Sequence, residues 1–272
     1  MLEKPDLVDA EIYSAVVSYY NVEIESLHFL PLGADLNTAV YRIDGRGSQT
    51  YFLKLRSGEF DPASVLYPKF LSDRGVAQVI APLPTQQGGL HGDFGAYKTI
   101  LYPYIQGVDG YEARLSDAHW QEFGETLRTM HDIDVPANIK QHIALEDYSP
   151  RWRDDLSRML AQLNGGVLDT PTAEDDVGRE AAAFMLARTK LVLAMIERTS
   201  ALAQVLKAKR TELIVCHADL HAGNVLIGDD ERFYLVDWDT LKVAPKERDL
   251  MYIGGGLMAH HRTPEEEEDQ FY

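Results

Sequence analysis

The residues with the clearest chemical meaning lie in one short run, 217–224, which reads His-Ala-Asp-Leu-His-Ala-Gly-Asn. Within it, Asp219 can accept a proton from a hydroxyl group, and the amide oxygen of Asn224 can bind a divalent cation. Asp237 follows at the end of the apolar segment 233–236. Magnesium prefers such hard oxygen donors, and phosphoryl transfer needs a positioned hydroxyl and neutralised phosphate charge. The spacing therefore predicts a magnesium-dependent phosphoryl-transfer site, with Asp219 as catalytic base and Asn224 and Asp237 as metal ligands.

A zinc hydrolase is the alternative use of His217, Asp219 and His221, since these three side chains could in principle gather one metal ion. No second cluster of His and Asp occurs elsewhere in the sequence, and a zinc site leaves Asn224 without a role. We therefore expect His217 to stabilise the loop through side-chain hydrogen bonds.

Lys54 lies inside an otherwise apolar strand, Tyr-Phe-Leu-Lys-Leu, at residues 51–55. Burying an ammonium group is costly without a partner, and the phosphates of a nucleotide would provide one. The alternative is an edge lysine that reaches solvent. Together with the downstream run, Lys54 is predicted to contact nucleotide phosphates.

Two further segments are candidates for nucleotide binding. The loop at 31–39 contains one glycine and offers Asp35, Asn37, Thr38 and backbone N–H groups to phosphate, although an ordinary hairpin explains it equally well. The segment around Tyr102 and Tyr104 is expected where two lobes join, where backbone groups can bind an adenine edge, and an apolar strand end is the alternative.

The elements that must position these residues change character along the chain. Short β-rich segments bounded by turn residues dominate residues 27–105, with helices at 11–20 and 62–73. Helical spacing then dominates, with Ser116 as a plausible N-cap. The predicted strands of the first part are 27–32, 39–43, 51–55, 78–83 and 97–105. The second part has predicted helices from 116 to 130, at 151–163 and at 176–209, and predicted strands at 213–216, 225–227 and 233–236.

The order of these elements predicts an α+β, two-lobed fold of the protein-kinase kind. Residues 1–105 would form a β-rich, nucleotide-binding lobe built on an antiparallel sheet. Residues 106–272 would form a mostly helical lobe that carries the catalytic and substrate sites.

Composition excludes several classes of protein. The 272 residues carry a formal net charge of −17, so the chain is not expected to bind nucleic acid or anionic membranes, and a small cationic ligand is favoured unless the charge serves solubility alone. The single cysteine, Cys216, excludes an internal disulfide framework and a cysteine-based zinc cluster. No signal peptide or membrane-spanning run is apparent, which predicts a cytoplasmic protein.

The run 215–226, followed by Val-Asp-Trp-Asp at 236–239, resembles the aminoglycoside phosphotransferase family. A nearer resemblance, to its spectinomycin phosphotransferase branch, depends on the segments 33–37, 148–153 and 244–256. Together these motifs extend over nearly the whole chain.

The resemblance implies ATP- and Mg²⁺-dependent phosphorylation of a hydroxyl on an aminocyclitol antibiotic, and hence antibiotic resistance. It implies the roles given above for Asp219, Asn224, Asp237 and Lys54. It also implies supporting positions for His217, His221, Asp239 and Asp249, with Asp249 behind the catalytic loop.

Two features depart from the family pattern. Kinases pair the strand lysine with a glutamate on the next helix, but the segment 58–69 has none in its middle and contains Pro68, which is expected to end or kink a helix. Glu59 or Asp61 could serve instead. The family also has further helices beyond the position of Tyr272, so the second lobe is expected to be shortened, and the acidic run 265–269 is expected to begin a helix with a solvated face.

Two other functions remain open at this stage. A kinase for choline, homoserine, methylthioribose or a similar metabolite would keep the fold and change the acceptor. A non-catalytic protein that binds nucleotide or antibiotic is the alternative from another class. The choice between ATP and GTP, the acceptor-binding residues and the oligomeric state are not determined by the sequence.

Overall fold

The computed structural model describes residues 3–33, 35–165, 176–254 and 262–272. The chain divides into two compact units: Met1–Ala144 with Leu213–Tyr272, and Leu145–Glu212. The helices are α1 Asp9–Tyr20, α2 Ala63–Asp73, α3 Asp117–Asp132, α4 Ala137–Lys140, α5 Arg151–Gly165, α6 Asp176–Ala187, α7 Thr189–Ala208 and α8 Pro264–Phe271. The strands are β1 Ile24–Leu30, β2 Thr38–Gly45, β3 Thr50–Ser57, β4 Gly92–Phe94, β5 Tyr97–Pro103, β6 Gly107–Asp109, β7 Ala144–Leu145, β8 Ile214–Cys216, β9 Val225–Gly228, β10 Phe233–Leu235 and β11 Lys242–Ala244. The lobe boundary predicted at 105/106 stays a prediction.

The first unit begins with a five-stranded antiparallel sheet in the order β1-β2-β3-β5-β4. One face of the sheet packs against α1, where Tyr41, Leu53 and Leu101 are fully buried in a cluster with Ile12 and Val16. Because side chains alternate along a strand, Lys54 lies on the opposite face. Its register partners there are Val40 on β2 and Ile100 on β5.

The fifth strand of this sheet is β4, and the strand predicted at residues 78–83 is wrong. In that segment Val79 forms only one isolated bridge, and the N–H of Leu83 donates to the carbonyl oxygen of Leu101 at 2.7 Å. Pro82 and Pro84 have no N–H to donate to a ladder, which prevents a regular strand.

Pro68 does not end its helix, because α2 runs from Ala63 to Asp73 through it; the predicted kink stays a prediction. A proline removes only one N–H from the helix. Here Pro68 is itself buried, and its neighbours Tyr67 and Leu71 are fully buried in the largest apolar cluster of the described residues. This packing stabilises the helix despite the missing hydrogen bond.

The remainder of the first unit carries the run 217–224 between short strands. The antiparallel hairpin of β9 and β10 is extended on its other side by β6, and β8 pairs with β11. The strands β6 and β11 were not predicted. The N-cap prediction is confirmed: the Ser116 side chain accepts from the His119 N–H, and the His119 ring accepts from the Ser116 N–H.

The acidic run 265–269 lies in α8, as predicted. The prediction that its side chains are exposed to solvent is only partly correct. Thr263 caps the helix, with Glu266 completing a capping box. Glu267 is fully buried, and its carboxylate accepts a hydrogen bond from the N–H of Gly254 at 3.0 Å. A buried carboxylate needs such a partner.

The second unit consists of α5, α6 and α7. The single helix predicted at 176–209 is interrupted at Arg188, whose φ of −110° and ψ of 10° are not helical. The Thr189 hydroxyl donates to the carbonyl oxygen of Leu186 at 2.9 Å, and local bonding of this kind competes with the helical pattern. Among the described residues of the whole chain, no helix is long and apolar enough to cross a membrane.

Candidate active site

The run 217–224 forms a loop between β8 and β9 that is held by one buried carboxylate. Asp249 is 1% exposed. Its Oδ1 accepts from the Ala218 N–H at 2.7 Å and its Oδ2 from the His217 N–H at 3.2 Å. Ala218 adopts a left-handed conformation with φ of 70°, which an alanine adopts only when its surroundings enforce it. Asp249 therefore stabilises a strained loop conformation through both of its carboxylate oxygens.

His131, on α3, supports Asp249 in turn and was missed by the sequence analysis. Its Nε2 lies 2.9 Å from Oδ2 of Asp249. Its position four residues after Leu127, on the apolar face of α3, is the signal that could have identified it. Cys216 lies close to both, and burial raises the pKa of its thiol. The Asp249 oxygens are already engaged with N–H groups, so the cluster is better explained as loop support than as a metal site.

His217 and His221 do not gather around a metal with Asp219. Nε2 of His217 lies 3.0 Å from the Val236 carbonyl oxygen, and burial holds the pKa of this ring below its ordinary value, so it is neutral and donates to that carbonyl. Nδ1 of His221 accepts from the Gly223 N–H at 3.0 Å. The His217 ring thus bonds to the segment before Asp237 and the His221 ring bonds within the loop, which disfavours the zinc alternative.

Asp219 and Asn224 are linked across the loop. The side-chain amide of Asn224 donates to the backbone carbonyl oxygen of Asp219 at 2.7 Å. This bond uses the amide nitrogen and leaves the amide oxygen as the group that can bind a cation. Oδ1 of the Asp219 carboxylate accepts a hydrogen bond from the Tyr252 hydroxyl at 2.7 Å, a contact that was not predicted.

Asp237 lies just after β10 in a left-handed conformation, with φ of 63°. Lys54 reaches it from the sheet, with Nζ 3.0 Å from Oδ1 of Asp237 and 2.8 Å from Oδ2 of Asp239. Burial by itself would raise the pKa of Asp237, but the Lys54 ammonium holds it below its ordinary value. Burial would likewise lower the pKa of Lys54, and the two carboxylates raise it instead. Lys54 and Asp237 are therefore both charged at neutral pH.

The suggestion that Glu59 or Asp61 pairs with Lys54 is wrong. Oδ1 of Asp61 accepts from the Ala63 N–H at 2.9 Å at the start of α2, and the Glu59 carbonyl oxygen accepts from Arg56. Among the described residues Lys54 has no ion pair with either of them, whereas the carboxylates of Asp237 and Asp239 reach it from a distant part of the chain.

The loop before β2 is held together by Asp35. Its carboxylate accepts from the Asn37 N–H and from the Thr38 hydroxyl, both at 2.9 Å, and forms an ion pair with Arg56. Arg56 also donates to Thr38 Oγ1 at 2.9 Å and lies 3.8 Å from Oδ2 of Asp239. The predicted loop residues are thus brought to the site through Arg56. This arginine was missed, although it lies two residues after Lys54 on the same face of β3.

Tyr102 and Tyr104 occupy different surroundings. Tyr102 lies on the Lys54 face of β5, and burial raises the pKa of its phenol. Tyr104 lies under the guanidinium of Arg42, 5.2 Å from its ring centroid, and its N–H donates to the Thr50 carbonyl oxygen at 3.1 Å. That N–H is already engaged, so among the two tyrosines only Tyr102 combines a place beside Lys54 with a ring on the candidate nucleotide face.

Comparison with known proteins decides the family. Residues 28–271 match the model of the phosphotransferase enzyme family, also called APH. The chain belongs to this family. Protein StrN of Streptomyces griseus is 25% identical over 234 residues, which cover 84% of this chain and 69% of that protein.

Solved structures of other proteins confirm the fold. The crystal structure of spectinomycin phosphotransferase APH(9)-Ia, in complex with ADP and spectinomycin, superimposes with a TM-score of 0.87 at 30% identity, covering 98% of this chain and 79% of that chain. Amicoumacin kinase, in complex with AMP-PNP, Ca²⁺ and Ami, has a TM-score of 0.65 at 18% identity, covering 97% and 76%; it supports the fold alone. The α+β, kinase-like fold and the resemblance to spectinomycin phosphotransferase are confirmed. This family member is a kinase-like phosphotransferase that acts on hydroxyl groups.

Proposed function

We propose that this phosphotransferase transfers the γ-phosphoryl group of ATP to a hydroxyl of an aminocyclitol antibiotic, with spectinomycin as the leading acceptor, and so gives resistance to it. The observation that carries the proposal is the contact of Lys54 with Asp237 and Asp239, beside a loop that presents Asp219 and Asn224. The similarity to a phosphotransferase solved with ADP and spectinomycin supports the choice of nucleotide and acceptor.

The residues present fit a magnesium ion. Asp237 is charged and its side chain is 51% exposed, and Asn224 keeps its amide oxygen for a ligand. These are hard oxygen donors, and Mg²⁺ in such sites takes its other ligands from phosphate and water. Bound there, the ion would neutralise charge on the nucleotide phosphates. We propose Asn224 and Asp237 as its ligands.

The protein's own groups divide the remaining work. Lys54 would exchange its two carboxylate partners for phosphate oxygens when the nucleotide binds, since its charge and its place on the sheet suit both. Tyr102, Asn37 and Thr38 would line the nucleotide beside it. Asp219 would orient the acceptor hydroxyl and take its proton, which contributes typically about 10²–10⁴-fold to a rate.

The charge of the chain agrees with this acceptor class. A net charge of −17 attracts a cation over the Debye length, about 8 Å at physiological ionic strength. An aminocyclitol carries protonated amines, whereas a neutral or anionic acceptor would gain nothing from this field. The reaction would take place in the cytoplasm, where ATP is available.

An acceptor panel tests the proposal. ATP consumption with Mg²⁺ is measured with spectinomycin, choline, homoserine and methylthioribose, and with the Asp219→Ala variant as a control for contaminating ATPases. Turnover with spectinomycin that disappears in the variant supports the proposal. Turnover of a metabolite without turnover of spectinomycin overturns the acceptor. Stabilisation by Mg-ATP in a thermal shift, without product from any acceptor, supports a binding protein instead.

A further inference from the structure

The phenol of Tyr252 lies where the chemistry is expected. Its hydroxyl donates to Oδ1 of Asp219 at 2.7 Å. Tyr252 comes three residues after Asp249, which holds the backbone of the same loop from behind. The segment 249–252 therefore bonds both to the backbone of the loop and to the carboxylate of the candidate base, Asp219.

The two oxygens of Asp219 are in different situations. Oδ1 accepts the Tyr252 hydroxyl, whereas Oδ2 accepts no side-chain or backbone hydrogen bond from the described residues. The nearest cationic candidate is Nε2 of His221, 3.9 Å from Oδ2, which is beyond hydrogen-bonding distance. Since Nδ1 of His221 accepts from the Gly223 N–H, a neutral ring carries its proton on Nε2. Oδ2 is thus the oxygen that is open to an incoming hydroxyl.

Neighbouring rings hold the phenol in place. The Tyr252 ring meets the His221 ring edge to face, with centroids 5.7 Å apart, and the Tyr111 ring stacks on His221 from another side at 5.9 Å. A Cβ at Gly223 would lie 2.9 Å from the His221 ring and 3.1 Å from the Tyr111 ring, so glycine is required for this close packing. Burial, reinforced by the bond to Asp219, raises the pKa of Tyr252 to about 12, and the phenol keeps the proton that it donates.

We propose that Tyr252 is a positioning residue for phosphoryl transfer, whose O–H holds Oδ1 of Asp219 so that Oδ2 receives the proton of the acceptor hydroxyl. The inference rests on the proposed function. In the step, the acceptor O–H proton passes to Oδ2, the acceptor oxygen forms a bond to the γ-phosphorus, and the bond from that phosphorus to the bridging oxygen breaks. ADP leaves with the electrons of the broken bond.

A competing explanation is that the phenol merely occupies the acceptor's place. In that case the incoming hydroxyl must displace it from Asp219, and its removal should speed the reaction or tighten acceptor binding. A positioning residue gives the opposite result, because its removal lets the carboxylate rotate away from the geometry of in-line transfer.

The first test is Tyr252→Phe, which removes one oxygen and keeps the ring, with Tyr13→Phe on the exposed side of α1 as the matched control. Single-turnover phosphorylation of spectinomycin with Mg-ATP isolates the chemical step from product release. We expect the rate to fall about 10-fold or more, as for loss of one hydrogen bond to a charged group. KM for ATP and for spectinomycin should stay within about twofold of the unmodified protein, a split that general unfolding does not produce. An unchanged or faster rate overturns the inference.

The second test does not depend on activity. Urea-unfolding midpoints are compared for the unmodified protein, Tyr252→Phe, Asp219→Ala and the double variant. If the bond exists in solution, the shift of the double variant differs from the sum of the single shifts; strictly additive shifts overturn the inference. Failure of the unmodified protein to phosphorylate any acceptor overturns the proposed function, and this cycle then decides separately whether Tyr252 holds Asp219.

Discussion

Replacing Asp249 by asparagine changes one buried group on which the catalytic loop depends. The substitution keeps the size and shape of the side chain and removes its charge. The carboxylate receives three N–H groups: those of His217 and Ala218 from the backbone, and Nε2 of His131. An asparagine has one oxygen to accept with, and its NH₂ group must face a donor.

The cost follows from counting the donors. Whichever way the amide turns, one or two of the three N–H groups lose their acceptor at a site that is 1% exposed. A buried unsatisfied donor costs about 1–3 kcal/mol, so we expect a loss of about 2–5 kcal/mol in the free energy of unfolding. This is a large part of the 5–15 kcal/mol typical of a domain. Because the left-handed Ala218 is no longer enforced, the loop should also relax and the turnover number fall by about 100-fold, as for a displacement of about 1 Å.

Urea unfolding followed by tryptophan fluorescence measures the first quantity, and steady-state kinetics with ATP and acceptor measure the second. Asp134→Asn, at an exposed position after α3, is the matched control for the loss of one negative charge. A loss below about 1 kcal/mol together with normal turnover would refute the idea that Asp249 enforces the loop conformation.

Three further substitutions probe other contacts. Lys54→Met should raise KM for ATP by about 10-fold or more, because nucleotide phosphates lose a buried cation. Burial holds the pKa of His217 below its ordinary 6.5, so as the pH falls the unfolded chain binds a proton at this ring before the folded chain does. The free energy of unfolding should therefore decline as the pH falls below about 6.5. His217→Gln, which keeps a donor for the Val236 carbonyl oxygen, should make that decline shallower. Gly107→Ala should lower the unfolding midpoint in urea, since its Cβ would lie 2.1 Å from the Ile227 carbonyl oxygen.

Each of these has a result that would contradict it. Lys69→Met, whose ammonium pairs with Asp73 on α2, should leave KM for ATP unchanged, and an equal effect of both lysine variants would argue against a phosphate contact. The His217 prediction fails if both proteins lose stability in parallel between pH 7 and pH 5. Gly124→Ala, whose Cβ would have no contact closer than 3.8 Å, is the control for glycine removal.

The grouping of the loop side chains was predictable because these residues are close in the sequence, whereas their catalytic roles stay predictions. The run 217–224 and Asp237 lie on adjacent short segments, so their spacing alone indicates one site. The strands that carry Lys54 were predictable for a similar reason, since alternation and turn residues are local signals. The prediction of a strand at 78–83 was wrong because it gave more weight to the apolar residues of the segment than to Pro82 and the neighbouring Pro84, which have no N–H to donate to a ladder.

The contacts that tune the site could not be predicted, because they join residues far apart in the chain. Lys54 and Asp237 are 183 positions apart, and His131 and Asp249 are 118 apart. Neither Tyr252 nor Arg56 indicates a functional site by itself, since a tyrosine in an apolar segment and an arginine on a strand are both common in proteins. Only the tertiary structure shows which carboxylate each one meets.

The most direct test of the central claim is mass spectrometry of spectinomycin after incubation with Mg-ATP and this protein, beside the same incubation with Asp219→Ala. We predict that the antibiotic gains one phosphate group with the unmodified protein and none with the variant. If spectinomycin gains no phosphate group with the unmodified protein, the proposed acceptor is contradicted. If the Asp219→Ala variant still gives a phosphorylated product, the proposed catalytic role of Asp219 is contradicted.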